Sequence, residues 1–294
     1  MNLVLSIHIF PNELGKYQRL VERINATHSY IESRTNTIST HVVLNLNDSL
    51  IDWNNSPIKK EEVISTYTDI NNILTTDDNV CTYINNPNFI GVNEHRRNTI
   101  KNYTDVDSII FLDADVHFRD KILKHHIDAY SLIDTDTMFI ITPQTVRLWD
   151  DTWDCIVNDR YIKKSHNFHK KIIPNEVLSH EHGDVTLVPT DSFKWGGGWF
   201  NSISPKLLSL VGIPESFVGY GPDDTYVMQC AYLLKNRGYK IQQYILQNEL
   251  IVEEPTKPTE CPYSKIPMKE NSTSFRTKSE RIFGAEIKNF LSKL

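Results

Sequence analysis

What most constrains this chain is an alternation carried through roughly its first 115 residues: short apolar runs separated by segments of helical periodicity. Leu3–Ile9 alternates as a strand does, and Leu14, Tyr17, Leu20, Val21 and Ile24 then recur at helical spacing. His41–Leu46 reads as a second strand, and Val63, Ile64, Tyr67, Ile70 and Leu74 mark a second helix. Val80–Ile84 is a third strand, Asn93–Asn102 a short helix and Ser108–Leu112 a fourth strand. The order βαβαβαβ implies an α/β fold with a mostly parallel central sheet, since parallel neighbours need a crossover that helices supply.

The pattern then loosens. Met138–Thr142 and Val185–Val188 read as strands, with a polar stretch rich in His and Lys between them (165–171). Pro205–Val211 is expected as a short helix with proline in its first turn. Asp223–Lys235 is expected as a longer one, ended by Gly238. Lys240–Leu246 alternates as a last strand, and the proline-rich run from Glu253 to Pro267 reads as a loop or lid. Phe283, Ile287, Phe290, Leu291 and Leu294 then line one side of a terminal helix.

With 294 residues, the chain has length for one large or two modest domains. A net charge of −6 and the lack of a long basic run argue against nucleic acid as the partner. The four cysteines are scattered, with no zinc spacing, as in reduced thiols of a cytoplasmic protein. No run approaches the roughly 18 apolar residues of a membrane span.

Three segments carry chemistry. In "IIFLDADVHF" (109–118) an apolar strand delivers Asp113 and Asp115 to the carboxyl edge of the sheet, where open α/β folds bind ligands. Two residues apart, both side chains point to one side, and two such carboxylates repel unless a cation lies between them. The plainer alternative is an acidic turn. In "NNPNFIGVNEHRRN" (85–98) a turn leads into a helix whose amino end would face the cleft, with Arg97 or Arg96 as a fixed cation. A solvent-exposed basic helix is the alternative. The third segment, "GGGWFNSISPKLLSLVGIPESFVGYGPDDTYV" (196–227), begins with three glycines that tolerate close approach of a ligand or another backbone. Trp195, Trp199 and Tyr220 add flat amphipathic faces suited to sugar rings, and Asp223 and Asp224 enter the first turn of a helix. They act there as helix caps or as a general base.

Taken together, these residues resemble a known family. "FLDADV" resembles the DxD motif of GT-A glycosyltransferases, and "NFIGVNEHRRN" the "G…RN" segment that precedes it in inverting family 2 enzymes. Gly197–Val227 is similar to the C-terminal motif of β-1,4-galactosyltransferases, chondroitin-synthase-like enzymes and polypeptide N-acetylgalactosaminyltransferases. The resemblance implies a GT-A fold: a Rossmann-like, mostly parallel sheet flanked by helices, with an acceptor-side subdomain. Residues 1–118 would form the nucleotide-sugar half, 119–252 the acceptor and catalytic half, and 253–294 a loop and amphipathic helix. The implied reaction moves a hexose or N-acetylhexosamine from a nucleotide diphosphate sugar, UDP-linked by the motif, to an acceptor hydroxyl with inversion.

Carried over by position, Asp113 would sit near the ribose, and Asp115 beside it would ligate Mn²⁺ or Mg²⁺. Arg97 would lie near the donor, and Gly197 and Gly198 would admit donor and acceptor. Trp195, Trp199, Tyr220 and Asp223 would contact the acceptor, and Asp224 would be the base. Two features depart from the family. No His follows His182 to serve as a further metal ligand, leaving Glu249, Glu253 or Glu254 as substitutes, and Pro222-Asp223 replaces Gly-Glu.

Three rival readings are weighed at the level of sequence. Nucleotidyltransferases share the sheet but need a glycine-rich loop after the first strand, and "IFPNELGKY" (9–17) is not one. A haloacid-dehalogenase-type phosphatase also uses a strand-DxD motif, although there the motif usually opens the fold. A non-catalytic sugar-binding module would keep the aromatics and need neither Asp224 nor a metal. The terminal helix, with Lys278, Arg281, Lys288 and Lys293, is expected to pack on the domain, with peripheral membrane contact as the alternative.

Overall fold

The computed structural model describes residues 1–9, 37–45, 53–54, 59–74, 80–84, 91–113, 116–118, 121–148, 155–157, 184–190, 200–219, 221–253 and 268–294. The helix expected over Leu14–Ile24 lies outside these residues. Strands β1 (Asn2–Ile9), β2 (Thr37–Asn45), β3 (Val80–Ile84) and β4 (Ser108–Asp113) form the parallel half of one sheet, in the order β3-β2-β1-β4. Helices α1 (Lys60–Leu74) and α2 (Val92–Asn102) precede β3 and β4. From Leu3 to Ile9 every residue of β1 is buried, which accounts for its near-continuous apolar character.

The sheet continues through β5 (Val116–Phe118), β6 (Met138–Leu148), β9 (Phe200–Ile203) and β10 (Ile241–Glu253) in the order β4-β9-β6-β10-β5. Short strands β7 (Cys155–Val157) and β8 (Thr186–Pro189) attach to β6 and β10. β6 and β10 are parallel, whereas β9 runs antiparallel to both β4 and β6. A four-residue strand thus joins two parallel sets. Helices α3 (Ile122–Tyr130), α4 (Pro205–Val211), α5 (Asp223–Asn236) and α6 (Met268–Ser292) complete the described elements.

β9 escapes sequence reading because two of its four buried residues are polar. Ser202 is accommodated by a 2.6 Å hydroxyl contact with Ser108 of β4, and that partner is distant in sequence. α3 is disguised in the same way, since one of its buried positions is a histidine. The terminal helix packs on the domain: Phe290 is buried in the core with Leu207, Phe217, Tyr226 and Leu234, and Ile282, Phe283 and Ile287 lie against it. No helix among the described residues is long and apolar enough to cross a membrane.

His126 is fully buried with neither ring nitrogen hydrogen-bonded, and its ring stacks on Phe200 at 5.1 Å. Burial, with His125 alongside, holds it down at about 3, so the folded chain keeps it neutral. The unfolded chain takes up that proton once pH drops below the ordinary value of 6.5, and the folded one does not. This side chain therefore removes about 1.4 kcal/mol of stability per pH unit as pH falls below that point. We expect His126→Leu to match the wild type at pH 7.5 and to lose about 1 kcal/mol less between pH 6.5 and 5.5 in urea unfolding. An equal loss in both proteins would show that the ring takes up a proton in place.

Candidate active site

The site assembles on one face of the sheet. At a single register level, His41 of β2 lies beside Ser6 of β1, Ser6 beside Phe111 of β4, and Phe111 beside Asn201 of β9. One step of the pleat further toward the carboxyl edge, His8 pairs with Asp113. Directly paired residues share a face, so this is a row of three polar groups and one aromatic, with an acid beyond it. α2 covers the row through the buried side chains of His95, Arg96 and Thr99.

Arg96 is the central group. Its Nη2 donates to Asp113 Oδ1 at 2.8 Å, and its Nη1 donates to Asp223 Oδ2 at 2.6 Å. The guanidinium also lies over the Phe111 ring, 5.1 Å from its centroid. Burial by itself would loosen the arginine's hold on its proton; Asp223 foremost, then Asp113, outweigh this and push it up. Arg96 is thus the cation that pairs Asp113 with Asp223. Arg97, one residue on, is rotated about 100° around the helix and donates to the carbonyls of Pro214 and Phe217 at 2.8 and 2.9 Å.

Asp223 and Asp224 occupy the first turn of α5 behind Pro222, with no side-chain cap on the helix. Asp223 is buried, and Asp224 is half-buried with Oδ1 accepting from the Thr225 N–H at 2.6 Å. Burial and then the adjoining Asp223 carboxylate push Asp224 up to about 6, against the opposing pull of Thr225 and Arg96. Asn201, which sequence reading missed, shares a small void of about 10 Å³ with Arg96, Phe111 and both acids.

The loop before α5 is fastened to the amino end of α2. Asn93 N–H donates to Gly219 O at 3.1 Å, and Gly219 N–H donates to Glu94 Oε1 at 2.9 Å. A Cβ on Gly91 would come within 2.1 Å of the Gly219 Cα, and Gly219 has φ +72°. The helix end expected to face a phosphate is thus engaged, through Asn93, by the chain's own loop.

Asp115, Trp195, Gly197, Gly198, Trp199 and Tyr220 lie outside the described residues, as do Glu254 and the histidines at 166, 169, 180 and 182. Glu249, weighed as a substitute metal ligand, is fully buried and pairs with His125 Nδ1. Among the described residues no group of three or more His, Cys, Asp or Glu stands close enough to hold a metal. His117 lies in β5 opposite Val252.

No protein-family model and no curated protein matches this sequence. Among solved structures the chain is similar to S. aureus TarS 1-349, at TM-score 0.45 and 10% identity over 84% of this chain and 60% of that one. It is similar to GalNAc-T7 with UDP, GalNAc and Mn²⁺, at 0.45 and 10% over 87% and 43%. It is also similar to the inositol-1-phosphate CTP transferase from T. maritima, at 0.41 and 11% over 92% and 94%. The chain therefore spans less than two thirds of the first two, and its own residues carry the functional reading.

Arg96→Leu leaves two carboxylates at the site without their cation, and we expect a loss of about 3–5 kcal/mol in chemical unfolding. Stability within 1 kcal/mol of wild type would mean that the acids are separated without it. Gly91→Ala should cost about 1–3 kcal/mol by forcing α2 off the Gly219 backbone. Equal midpoints for Gly91→Ala and wild type would show that the two segments part freely.

Proposed function

We propose that this chain is a metal-dependent inverting glycosyltransferase that moves a hexose or N-acetylhexosamine from a UDP-linked donor to an acceptor hydroxyl. The observation that supports this most directly is the Arg96 bridge. It holds an acid from the carboxyl end of β4 against the acid pair that opens α5, 127 residues away from the arginine in sequence. This is the convergence expected from the GT-A resemblance, in which one acid faces the donor and another faces the acceptor.

Asp224 is the proposed general base. A carboxylate pushed up to about 6 is a stronger proton acceptor than an ordinary aspartate, yet it remains mostly ionised at neutral pH. Asp223 stays ion-paired to Arg96 and takes the role of contacting the acceptor sugar. Attack from the face opposite the diphosphate inverts the anomeric centre. Trp195, Trp199 and Tyr220 are proposed as acceptor-contacting rings, Gly197 and Gly198 as the point of close approach, and Arg97 as a support of the loop through its bonds to Pro214 and Phe217.

Oxygen donors at the carboxyl edge suit a hard divalent cation. Asp113 ends β4 with its side chain 30% exposed, and the second acid of the motif, Asp115, follows two residues on. The chemistry therefore fits Mn²⁺ or Mg²⁺, which bind through one or two carboxylates together with substrate phosphates and water. Such an ion supplies Lewis-acid stabilisation of the departing diphosphate. Asp113 would hold the edge of that site while Arg96 keeps its other side fixed.

The phosphatase motif usually opens its fold, whereas here it ends β4, after β1, β2 and β3. A passive sugar-binding module gains nothing from burying an acid pair and raising one member, since such arrangements cost stability and cluster at reactive sites.

The reading is tested by thermal shift with a panel of nucleotide diphosphate sugars, each with and without Mn²⁺. A shift for one nucleotide-sugar that grows with Mn²⁺ supports it, and no shift across the panel refutes it. With a donor in hand, Asp224→Asn should lower turnover by about 10²–10⁴-fold. The acid limb of wild-type kcat/KM should fall as pH drops through about 6, because Asp224 becomes protonated there. Turnover within a few-fold of wild type in the Asn variant would remove Asp224 from this role.

A further inference from the structure

Ser6, His41, His95 and Thr99 form a buried hydrogen-bonded group that no proposed chemical step uses. Thr99 Oγ1 donates to the His95 carbonyl at 3.1 Å, one turn back in α2. The same oxygen lies 2.8 Å from Ser6 Oγ and 2.9 Å from His41 Nδ1. Ser6 Oγ in turn lies 3.1 Å from His95 Nε2.

With all four contacts made as hydrogen bonds and Thr99 the donor to the His95 carbonyl, donor counting sets the remaining directions. A hydroxyl has one proton. Thr99 gives its proton to the His95 carbonyl, so it must accept from both His41 and Ser6. His41 therefore carries its proton on Nδ1. Ser6 gives its only proton to Thr99, so it must accept from His95, which carries its proton on Nε2. His95 Nδ1 is then a bare nitrogen, and it is indeed buried without a hydrogen-bond partner. Burial, followed by His41, His8 and Arg96, lowers His95 well below the ordinary range against the opposing pull of a hydrogen bond to the His41 backbone, in keeping with a neutral ring. The result is a one-way chain, with a single tautomer at each histidine.

We propose that this one-way chain sets the rotation of α2 about its axis and thereby aims Arg96 at Asp113 and Asp223, making Ser6 and Thr99 positioning residues for the acid clamp. His95 and Arg96 are adjacent in the helix, so fixing the direction of one fixes the other about 100° away. The two anchors stand on the same cross-strand row as Phe111, whose ring underlies the guanidinium. An apolar contact at His95 and Thr99 would hold α2 on the sheet without specifying its angle. Directional bonds from two strands do specify it. The link to catalysis rests on the reading given under Proposed function, whereas the hydrogen-bond logic does not.

The test uses the full chain without ligand. Nitrogen-15 correlation spectra at pH 7.5 should place the His95 proton on Nε2 and the His41 proton on Nδ1. Thr99→Val keeps the shape and removes the hub. We expect it to release the fixed tautomer of His95 and to speed exchange of the Arg96 guanidinium protons about tenfold or more. Where a donor is known, kcat should fall by at least about tenfold with a smaller change in KM. Thr99→Ser should restore all three. If the valine variant does not fold, Ser6→Ala removes the acceptor of His95 together with the donor to Thr99 and is read in the same way. A wild-type His95 protonated on Nδ1, or a folded variant whose Arg96 exchange is unchanged, overturns the proposal. Failure of the wild type to turn over any nucleotide-sugar, with these spectra as expected, sinks the glycosyl-transfer reading and leaves the clamp standing.

Discussion

A single buried guanidinium holds the two sides of the crevice together. Asp113 and Asp223 arrive from a strand end and a helix start, and without a cation between them their charges would drive those elements apart. Arg96 supplies both ion pairs from one planar fork, which a lysine's point charge would not do with the same geometry. Its burial strengthens each attraction and also makes each partner costly to lose. The placement of α5 over the sheet thus depends on one side chain of α2.

Other contacts bring α5 close enough for that bridge to form. Gly91 lets the backbone of α2 touch Gly219, and the carboxylate of Glu94 accepts the Gly219 N–H. From the opposite side, α6 supports the same loop. Ser216 Oγ donates to Glu286 Oε1 at 2.6 Å, Phe217 stacks on Phe283, and Tyr226 packs edge-on to Phe290. A Cβ on Gly221 would lie 2.6 Å from the side chain of Ser279, so α6 presses on the loop within two residues of Asp223. The terminal helix uses part of its apolar stripe, Phe283 and Phe290, as a brace for the loop and helix that carry the acid pair.

The sequence displayed whatever could be expressed by local periodicity. Val80–Ile84 and Pro205–Val211 fall where spacing and proline put them, and β1, α2, β4 and α5 agree within a residue or so. β9 and α3 stayed hidden. β9 needs Ser108 across the sheet to explain Ser202, and α3 buries a histidine where the pattern demands an apolar residue. Within the site, the acids at 113, 223 and 224 were legible because carboxylates ending a strand or opening a helix are conspicuous. The choice between Arg96 and Arg97 was not, because neighbouring residues on a helix differ only in angle, and that angle is set by the surface beneath. Ser6, His41 and Thr99 carry no signal of their own. The register of β1 with β2 sets Ser6 and His41 side by side, and Thr99 of α2 meets both from the covering helix.

Asp223 and Asp224 are chemically identical neighbours, and the bridge explains why they diverge. Arg96 offers one positive charge, and Asp113 and Asp223 already occupy its two donor edges. Asp224 arrives third, beside a carboxylate whose counter-charge is shared, and accepts from Thr225. The attraction it receives from Arg96 is outweighed by burial and by Asp223, so its proton affinity rises. Asp223 is held directly by Arg96. Two acids adjacent in sequence thereby sit in different surroundings, one paired directly with the guanidinium and the other pushed up by burial and by its neighbour.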